Sequence, residues 1–510
     1  MSRLRTSTEV VRGNRYSLSY GAIEDTTRRR PIIRRTTPES AILTPPKRER
    51  ASATARDDRR NMSILAWMIR RHLDNVSRFT PFFRLPGDSP EIAKLNELVL
   101  RLLAWHGRRT QFDALKRHGR DEWMRMFEAC KVISGDAAGM KVAGGRLQGI
   151  EGDRIARGTG AGIPKDVTEE GLQLDKTTSE RKAFCLCKRD GSGMVFERMV
   201  PAADMVFDGY WPDRFDAHRG VSPLLTALNE AADIRETWEW LVLKAKTSAL
   251  FGMAFTRSGS DEILPTAGED PTAPPSTEAA AYSAQLEAAV KARSIIALDM
   301  DPGDTAVEIS SNTPNPTVIP FTRELVRSVL LALDIPFTFY DSLTASFSAR
   351  IADRNEYEEA CEWKRDKNSD VLHEVYGEWL FPMWEKADLF GFGKALKAAT
   401  ISTEEVGAAL RWIPAGRPWL DRTNEMSGHL LAIAAGIESI PEVCAMYGKD
   451  AYMIADEQAA YLKKAGAPLF YAQGGQMAVQ AIMAAMGDST TKPAESGKGV
   501  GNGSAETPVE

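Results

Sequence analysis

The sequence predicts an α+β protein that is predominantly α-helical. Apolar residues recur at helical spacing through most of the chain. Two of the helical segments, about residues 223–251 and 349–384, exceed the usual three or four turns. Glycine-rich, alternating segments between about residues 135 and 200 instead predict short strands, and DGSG at 190–193 predicts a hairpin turn. Helices therefore lead into a small sheet, and two long helical struts follow it.

Length and composition indicate a globular protein with several domains. The 510 residues are too many for one hydrophobic core, so roughly two to four domains are expected. Apolar residues make up 43% and charged residues 26% of the chain, and no apolar run approaches the length of a membrane span, so no membrane partner is expected. The N-terminus lacks the apolar segment of a secretory signal. Its Arg, Ser and Thr bias resembles a transit peptide, but disorder is the preferred interpretation.

The five cysteines do not form a recognisable metal motif. Cys185 and Cys187 alternate with Leu186, which places both on one face of a strand and does not suit a zinc site built on CxxC. The others, Cys130, Cys361 and Cys444, are far apart. All five are predicted to be free thiols in a reducing compartment.

The net charge of −5 hides a basic N-terminus on an acidic body. Residues 1–60 carry 15 Lys/Arg against 7 Asp/Glu, a net +8, so the remainder carries −13. A folded sequence-specific DNA-binding domain should itself be basic. Residues 1–60 are predicted to be a disordered basic arm, either a solvated tail or a segment that folds against a partner or nucleic acid. Its arginine clusters are Arg28, Arg29, Arg30, Arg34 and Arg35.

The elements along the chain follow from periodicity and turn residues. Helices are predicted at about residues 61–84, 91–108 and 111–133, and a long amphipathic helix follows from Pro223. A Pro- and Gly-rich loop at 256–278, a short helix at 279–292 and strand-like stretches SIIALD and TAVEIS form a small insert. The chain then returns through a helix from Pro320 to Leu333, a polar loop from Thr338 to Ser348 and the second long helix. Residues 402–486 are predicted to be helical and 487–510 a low-complexity tail.

A search for catalytic chemistry gives no catalytic, cofactor-binding or metal-binding residue. The glycine-rich GTGAG at 158–162 lacks the Lys-Ser/Thr of a phosphate-binding loop, and no GxSxG or HExxH occurs. An acidic cluster in the second long helix could hold a metal or act as acid and base. Interleaved Arg and Lys favour an ion-paired, solvated face instead. Its members are Asp353, Glu356, Glu358, Glu359 and Glu362. The protein is therefore predicted not to be an enzyme.

Four segments in order resemble the lambda-type portal proteins of tailed phages. They are RDDRRN at 56–61 with the helix after it, HRGVSPLL at 218–225 with the helix that runs on to Lys246, PNPTVIPF at 314–321 with the helix and Asp-Ile-Pro turn after it, and SFSAR at 346–350. Phe347 stands where the family usually has tyrosine, and SRFTPFF at 77–83 replaces an expected glycine-rich turn. The C-terminal third matches only in its helical character.

The resemblance implies a portal-like fold with wing, stem, clip and crown-like regions, assembled as a cyclic, dodecameric ring. The wing would comprise residues 61–221 and the long helix 350–385, the stem helices 222–250 and 313–335, the clip 251–312, the tunnel loop 336–349, and the crown-like region 386–486. Stem residues singled out by the match are Ser222, Pro223, Trp238, Lys244 and Lys246.

The resemblance also implies the function and the partners. The ring would lie at one capsid vertex of a virion, assembled in the host cytoplasm, and conduct double-stranded DNA during packaging and ejection. Expected partners are the large terminase subunit, a head–tail connector, and the major capsid and scaffold proteins, with no cofactor. DNA would be bound non-specifically, since a body with a net charge of −13 should not hold the duplex strongly.

The polar loop before the second long helix is the candidate DNA contact. The residues concerned are Ser342, Thr344, Ser346, Phe347 and Ser348. The alternative is that they only pack between subunits, and the sequence leaves both open. Two rival functions also stay open: a metal- or nucleotide-dependent hydrolase that uses the acidic helix, and a helical scaffold or adaptor with disordered tails.

Overall fold

The computed structural model describes residues 38–87, 89–191, 193–211, 214–250, 253–256, 297–300, 318–343, 345–416 and 421–465; at 246–250, 253–256, 297–300 and 465 only the backbone is described. The arginine clusters of the arm, most of the predicted clip, Thr344 and the C-terminal tail lie outside these residues. The described chain is predominantly helical with small sheets, as the sequence predicts.

The described residues of the first half form six α-helices and seven strands. The helices are α1 (Glu39–Ile42), α2 (Pro45–Asn61), α3 (Ser63–Val76), α4 (Pro90–His106), α5 (Arg109–Phe112) and α6 (Arg120–Ser134). The strands are β1 (Phe79–Phe83), β2 (Asp136–Val142), β3 (Arg146–Glu151), β4 (Leu172–Leu174), β5 (Arg181–Asp190), β6 (Gly193–Pro201) and β7 (Met205–Gly209). Two antiparallel sheets have the orders β3-β2-β7 and β4-β5-β6. The predicted hairpin is confirmed as β5–β6, and its turn lies at the expected glycines.

The second half contains the two struts and the C-terminal helices. A 3₁₀ turn (Pro223–Thr226) leads into α7 (Leu228–Leu250), and α8 (Val318–Leu331) returns. The second strut is α9 (Phe347–His373), a π-helical segment (Glu374–Leu380) and α10 (Phe381–Lys386) without a break. The remaining elements are β8 (Met253–Thr256), β9 (Ala297–Met300), α11 (Phe392–Ala399), α12 (Thr403–Ala409), β10 (Leu410–Pro414), α13 (Arg422–Ala434), α14 (Ile440–Met446) and α15 (Ala451–Ala465). β8 and β9 pair in parallel within the predicted clip. Among the helices described, none has both the length and the apolar character that crossing a membrane requires.

The structure corrects the prediction of a disordered arm up to residue 60, because α2 occupies residues 45–61. The side of α2 that is buried consists of Arg48, Ser52, Ala55 and Asp58, which follow helical spacing but are almost all polar. Arg56 adds an ion pair with Asp153 at 2.7 Å. Hydrophobic periodicity therefore could not reveal a helix that is held by polar contacts.

Two further predictions are wrong at the ribbon formed by β1 and β10. The helix expected at 61–84 ends at Val76, and β1 follows, while β10 interrupts the helices expected at 402–486. The two strands pair antiparallel, with Phe79 opposite Pro414. Each strand has its partner in a distant part of the chain, so neither segment shows a local hairpin signal. The aromatic-rich FTPFF is a strand former that sequence reasoning assigned to a helix.

Two main hydrophobic cores organise the described residues. One contains Leu95, Leu103, Trp123 and Phe127 of α4 and α6 together with Tyr376 of the π-helical segment. The other joins α3, α6, α7, α8 and α9; its members include Leu65, Val132, Ile234, Val329 and Tyr357. The second core thus connects the start of the first strut to the second strut. All five cysteines are free thiols, and Cys185 and Cys187 share a face of β5 opposite Leu186, as predicted.

His106 makes the stability of the first core dependent on pH. Burial lowers its pKa to about 4, and its ring nitrogens lie 2.7 Å from the Gly145 carbonyl oxygen and 3.0 Å from the Tyr376 hydroxyl. The histidine of the unfolded chain has a pKa near 6.5. Between pH 4 and pH 6.5 the unfolded state therefore binds more protons than the folded state. We expect about 3 kcal/mol of stability to be lost as the pH falls from about 6.5 to about 4.

The substitution His106→Gln tests this, since glutamine can still donate to Gly145. Urea unfolding between pH 7 and pH 4.5 should show a smaller loss of unfolding free energy on acidification in the variant. The difference in slope should approach about 1.4 kcal/mol per pH unit, the value for one proton. Equal slopes in both proteins would show that His106 has the same pKa in the folded and unfolded states.

Candidate stem anchor and channel loop

The RGVSP motif fixes the beginning of the first strut through a buried arginine. Arg219 is 2% exposed, and its Nε and Nη2 atoms donate to the two carboxylate oxygens of Asp136 at 2.6 and 2.8 Å. The remaining N–H groups donate to the carbonyl oxygens of Gly152, Ile155 and Glu170 at 2.5–2.9 Å. All five donors of the guanidinium are therefore satisfied. The two buried charges of Arg219 and Asp136 therefore neutralise each other and are hydrogen-bonded, which is the condition for a buried ion pair to be tolerated.

The residues after Arg219 continue this anchor. The Gly220 N–H donates to Asp136 at 3.0 Å, and a Cβ on Gly220 would lie 2.1 Å from the Gly135 carbonyl oxygen, so only glycine fits. The Ser222 hydroxyl donates to the Val132 carbonyl oxygen at 2.6 Å and accepts from Leu224 N–H at 3.2 Å. Ser222 is thus the N-cap of the 3₁₀ turn, and Pro223 occupies its first position. The motif holds the strut against the junction of α6 and β2.

Among the described side chains of the first strut, α7, those buried in a core shared with α8 lie near its start. Ala231 and Ile234 are buried in the core that also contains Val326, Val329 and Leu330 of α8. Farther along, α7 and the first half of α8 carry large exposed apolar side chains. These are Trp238, Trp240, Val242, Leu243, Ile319 and Phe321. Lys244 is exposed as well, whereas the side chain of Lys246 lies outside the described part. A helix pair that exposes so much apolar surface needs a further partner.

The loop between α8 and α9 is anchored at its beginning and exposed at its tip. Tyr340 packs edge-on against Trp67 with ring centroids 6.0 Å apart, and Phe339 packs against Tyr357 at 5.3 Å. Arg323 donates to Asp341 at 2.6 Å. These contacts hold the first half of the loop on α3, α8 and α9.

The tip carries the residues that the sequence singled out. Ser342 and Ser348 are exposed, and Phe347 is 57% exposed. Ser346 has a structural role as well, because its hydroxyl accepts from Ala349 N–H at 3.2 Å and caps α9. Leu343, which sequence reasoning did not select, is 92% exposed. The arrangement presents a short apolar and hydroxyl-bearing surface to whatever lies opposite the tip.

A buried polar network, which sequence reasoning missed, holds α9 on the sheet and on α6. Lys131 Nζ lies 2.7–2.8 Å from carboxylate or amide oxygens of Glu128, Asp208 and Asn368. Burial alone would raise the pKa of Glu128, but Lys131 and a hydrogen bond with His72 hold it well below its usual range. The pKa of Lys131 is raised, since its two carboxylate neighbours outweigh burial. The only local signal was a Glu and a Lys three residues apart on the otherwise apolar side of α6.

The acidic residues of α9 are engaged in structural contacts where the structure gives their partners. Asp353 accepts from the Thr338 hydroxyl at 2.7 Å and Glu358 pairs with Arg365 at 2.7 Å. Lys364 on the same helix pairs with Asp334 at 2.6 Å. In the described ranges no group of three or more His, Cys, Asp or Glu side chains could hold a metal ion. The arrangement thus ties the loop and the α8 terminus to α9.

The family of the chain follows from the same segments. A family model described as "Phage portal protein, lambda family" matches residues 28–364, which contain the RGVSP motif, α7, α8 and the loop between α8 and α9. The chain belongs to this family. The resemblance drawn from the four sequence segments is thereby confirmed, and the protein is a phage-type portal protein.

Solved structures of gene transfer agent (GTA) particles are similar to the chain at low identity. The neck of a native GTA particle computed with C12 symmetry matches with 14% identity and a TM-score of 0.36, covering 76% of this chain and 89% of that chain. The neck of an empty GTA particle computed with C6 symmetry matches with 14% identity and a TM-score of 0.37, covering 78% of this chain and 93% of that chain. The virion of a native GTA particle matches with 14% identity and a TM-score of 0.34, covering 79% of this chain and 98% of that chain. A search of curated proteins gives no match.

Proposed function

We propose that this portal protein forms a closed cyclic ring, a dodecamer, at one capsid vertex and conducts double-stranded DNA during packaging and ejection. The observation that carries the proposal is the half-covered stem. α7 and α8 bury one another near their anchored ends and leave Trp240, Val242 and Phe321 exposed beyond them. In a cyclic ring each subunit offers two different faces to its neighbours, so both sides of such a strut would be covered.

The charge distribution supports a channel that does not arrest DNA. Residues 61–510 carry a net charge of −13. Each Lys or Arg that neutralises a phosphate adds affinity, so a bore with few fixed cations lets the duplex slide. We place the tip at Ser342, Ser346, Phe347 and Ser348 on the channel side, where it would contact the DNA backbone without reading bases.

We infer the protein's partners from its family and assign them to the predicted clip and to the basic N-terminal arm. The clip, around residues 251–312, would bind first the large terminase subunit and later a head–tail connector. The basic arm, with Arg28, Arg29, Arg30, Arg34 and Arg35, would contact capsid, scaffold or packaged DNA. The ring would be assembled in the host cytoplasm and remain in the virion. We assign the protein no enzymatic activity of its own.

Electron microscopy of the purified protein, with mass photometry to count subunits, tests the ring. Closed rings with a central hole wide enough for duplex DNA are expected, either from the protein alone or after co-expression with scaffold and capsid proteins. A protein that stays monomeric or dimeric in both experiments would contradict the proposal. Metal-dependent hydrolysis by the purified protein would instead support the rival enzyme.

The substitution Phe347→Ala tests the channel loop. Phe347 is 57% exposed, so we expect a change of less than about 0.5 kcal/mol in unfolding free energy and unchanged rings. The amount of DNA packaged per particle, or the amount that the particle retains after packaging, should change. Leu115→Ala is the matched control, because Leu115 is an apolar residue outside the loop that is 62% exposed, and its loss should leave both stability and DNA packaging unchanged. A ring structure with DNA in which Phe347 is buried between subunits would remove it from the DNA contacts.

A further inference from the structure

An arginine in the predicted wing lies on an aromatic platform, and none of the described carboxylates forms an ion pair with it. Arg181, the first residue of β5, has its guanidinium carbon 4.9 Å from the ring centroid of Phe207 and 4.7 Å from that of Trp211. Phe184 extends the platform, with its ring centroid 5.1 Å from that of Phe207. Stacking on ring faces positions a guanidinium but does not neutralise it.

The guanidinium of Arg181 has unused hydrogen-bonding capacity. Its Nε is buried and has no hydrogen-bond partner, and within the described residues no carboxylate pairs with this side chain. Burial lowers the pKa of Arg181, so its charged form is at a disadvantage in the isolated chain. Asp136 and Asp208 attract the guanidinium without pairing with it, and a carboxylate placed directly against it would add a charge-assisted hydrogen bond.

A cavity of about 480 Å³ leads to this arginine, and an apolar side chain stands beside it. The cavity is lined by Thr178, Ser179, Phe207 and Phe215 as well as by Arg181. Phe215 is 111% exposed, which means that nothing in the described chain covers its ring. An uncovered aromatic ring and a cation thus line one cavity, and aromatic residues and arginine are the residues that dominate the binding energy of protein interfaces.

We propose that this surface, the Arg181–Phe215 pocket, binds a peptide segment of a partner protein that carries a single carboxylate next to an apolar side chain. One carboxylate of the segment would bind the guanidinium, and a neighbouring apolar side chain would cover Phe215. Glu180 and Glu374 line the same cavity, and Glu374 is already paired with Lys141 at 3.0 Å. These flanking carboxylates admit a single negative group that reaches the arginine but repel a polyanion, which disfavours the phosphate backbone of DNA. The inference does not depend on ring formation.

Binding of labelled peptides to the full-length protein tests the pocket. The probes are a fluorescein-labelled peptide with one Glu-Phe pair flanked by Gly and Ser, and the same peptide with Gln in place of Glu. Fluorescence anisotropy should show saturable binding of the Glu peptide and about tenfold weaker binding of the Gln peptide. Phe215→Ser should weaken both peptides, because it removes the apolar contact.

The decisive comparison is a double-mutant cycle. In Arg181→Gln the preference for the Glu peptide over the Gln peptide should disappear, since the cycle isolates the contact between the two charged groups. Arg157→Gln is the matched control: Arg157 is a surface arginine paired with Glu169 at 2.8 Å, and the preference should remain. Equal binding of both peptides to the wild type, a preference that survives in Arg181→Gln, no saturable binding, or displacement by an equal concentration of a short DNA duplex would each overturn the proposal.

Discussion

Replacing Arg219 by methionine is expected to lower the unfolding free energy by about 3–5 kcal/mol, the cost of leaving a buried charge without its partner. Asp136 is fully buried and would keep its carboxylate among carbonyl oxygens that no longer have a donor. The same contacts hold Gly220 and the turn before α7. The strut should therefore lose its fixed origin, and ring assembly should fail with it.

Urea unfolding followed by circular dichroism measures the effect. Arg219→Lys should recover only part of the loss, because a lysine has three donors on one atom where the site uses five in a planar fork. Adding Asp136→Asn to Arg219→Met should also recover part, since it removes the unpaired charge. Arg157→Met, on the surface of the same region, should change stability by less than about 0.5 kcal/mol. A loss below about 1 kcal/mol for Arg219→Met would show that the motif does not anchor the strut.

The parts of the fold that the sequence predicts are those with a local signal. The stripe that includes Ala231 and Ile234 predicts α7 and is buried as expected, and the Asp-Gly turn at 190–193 predicts the β5–β6 hairpin. The RGVSP motif is visible as a turn before a helix. Its partner, Asp136, lies 83 residues away, so the reason for the arginine is not readable from the motif itself.

The parts that the sequence does not predict depend on distant partners or on polar burial. β1 is a strand only because β10 lies beside it, and periodicity had assigned both segments to helices. α2 buries Arg48 and Asp58, which a hydrophobicity pattern scores as exposed. At the loop between α8 and α9, the serines and Phe347 are exposed and their contact with DNA stays a prediction, while the capping role of Ser346 depends on where α9 begins.

Charged substitutions on the exposed stem surface are expected to abolish ring assembly while leaving the subunit folded. Val242 is 51% and Phe321 57% exposed in the single chain, so a glutamate at either position stays in water and should change subunit stability by less than about 0.5 kcal/mol. In a ring the same glutamate would be buried without a partner at every interface. An unpaired buried charge costs several kcal/mol, and the cost repeats with each subunit.

Mass photometry of Val242→Glu and Phe321→Glu should therefore show monomers under conditions in which the wild type forms rings, with unchanged thermal unfolding of the monomer. Glu239→Gln is the matched control, because Glu239 is an exposed polar residue on the same helix that pairs with Arg235 at 3.3 Å. Rings of normal size from both glutamate variants would mean that the apolar surface of the stem faces solvent in the assembly. The half-covered stem would then no longer support the ring, and the argument for a channel would rest on the family alone.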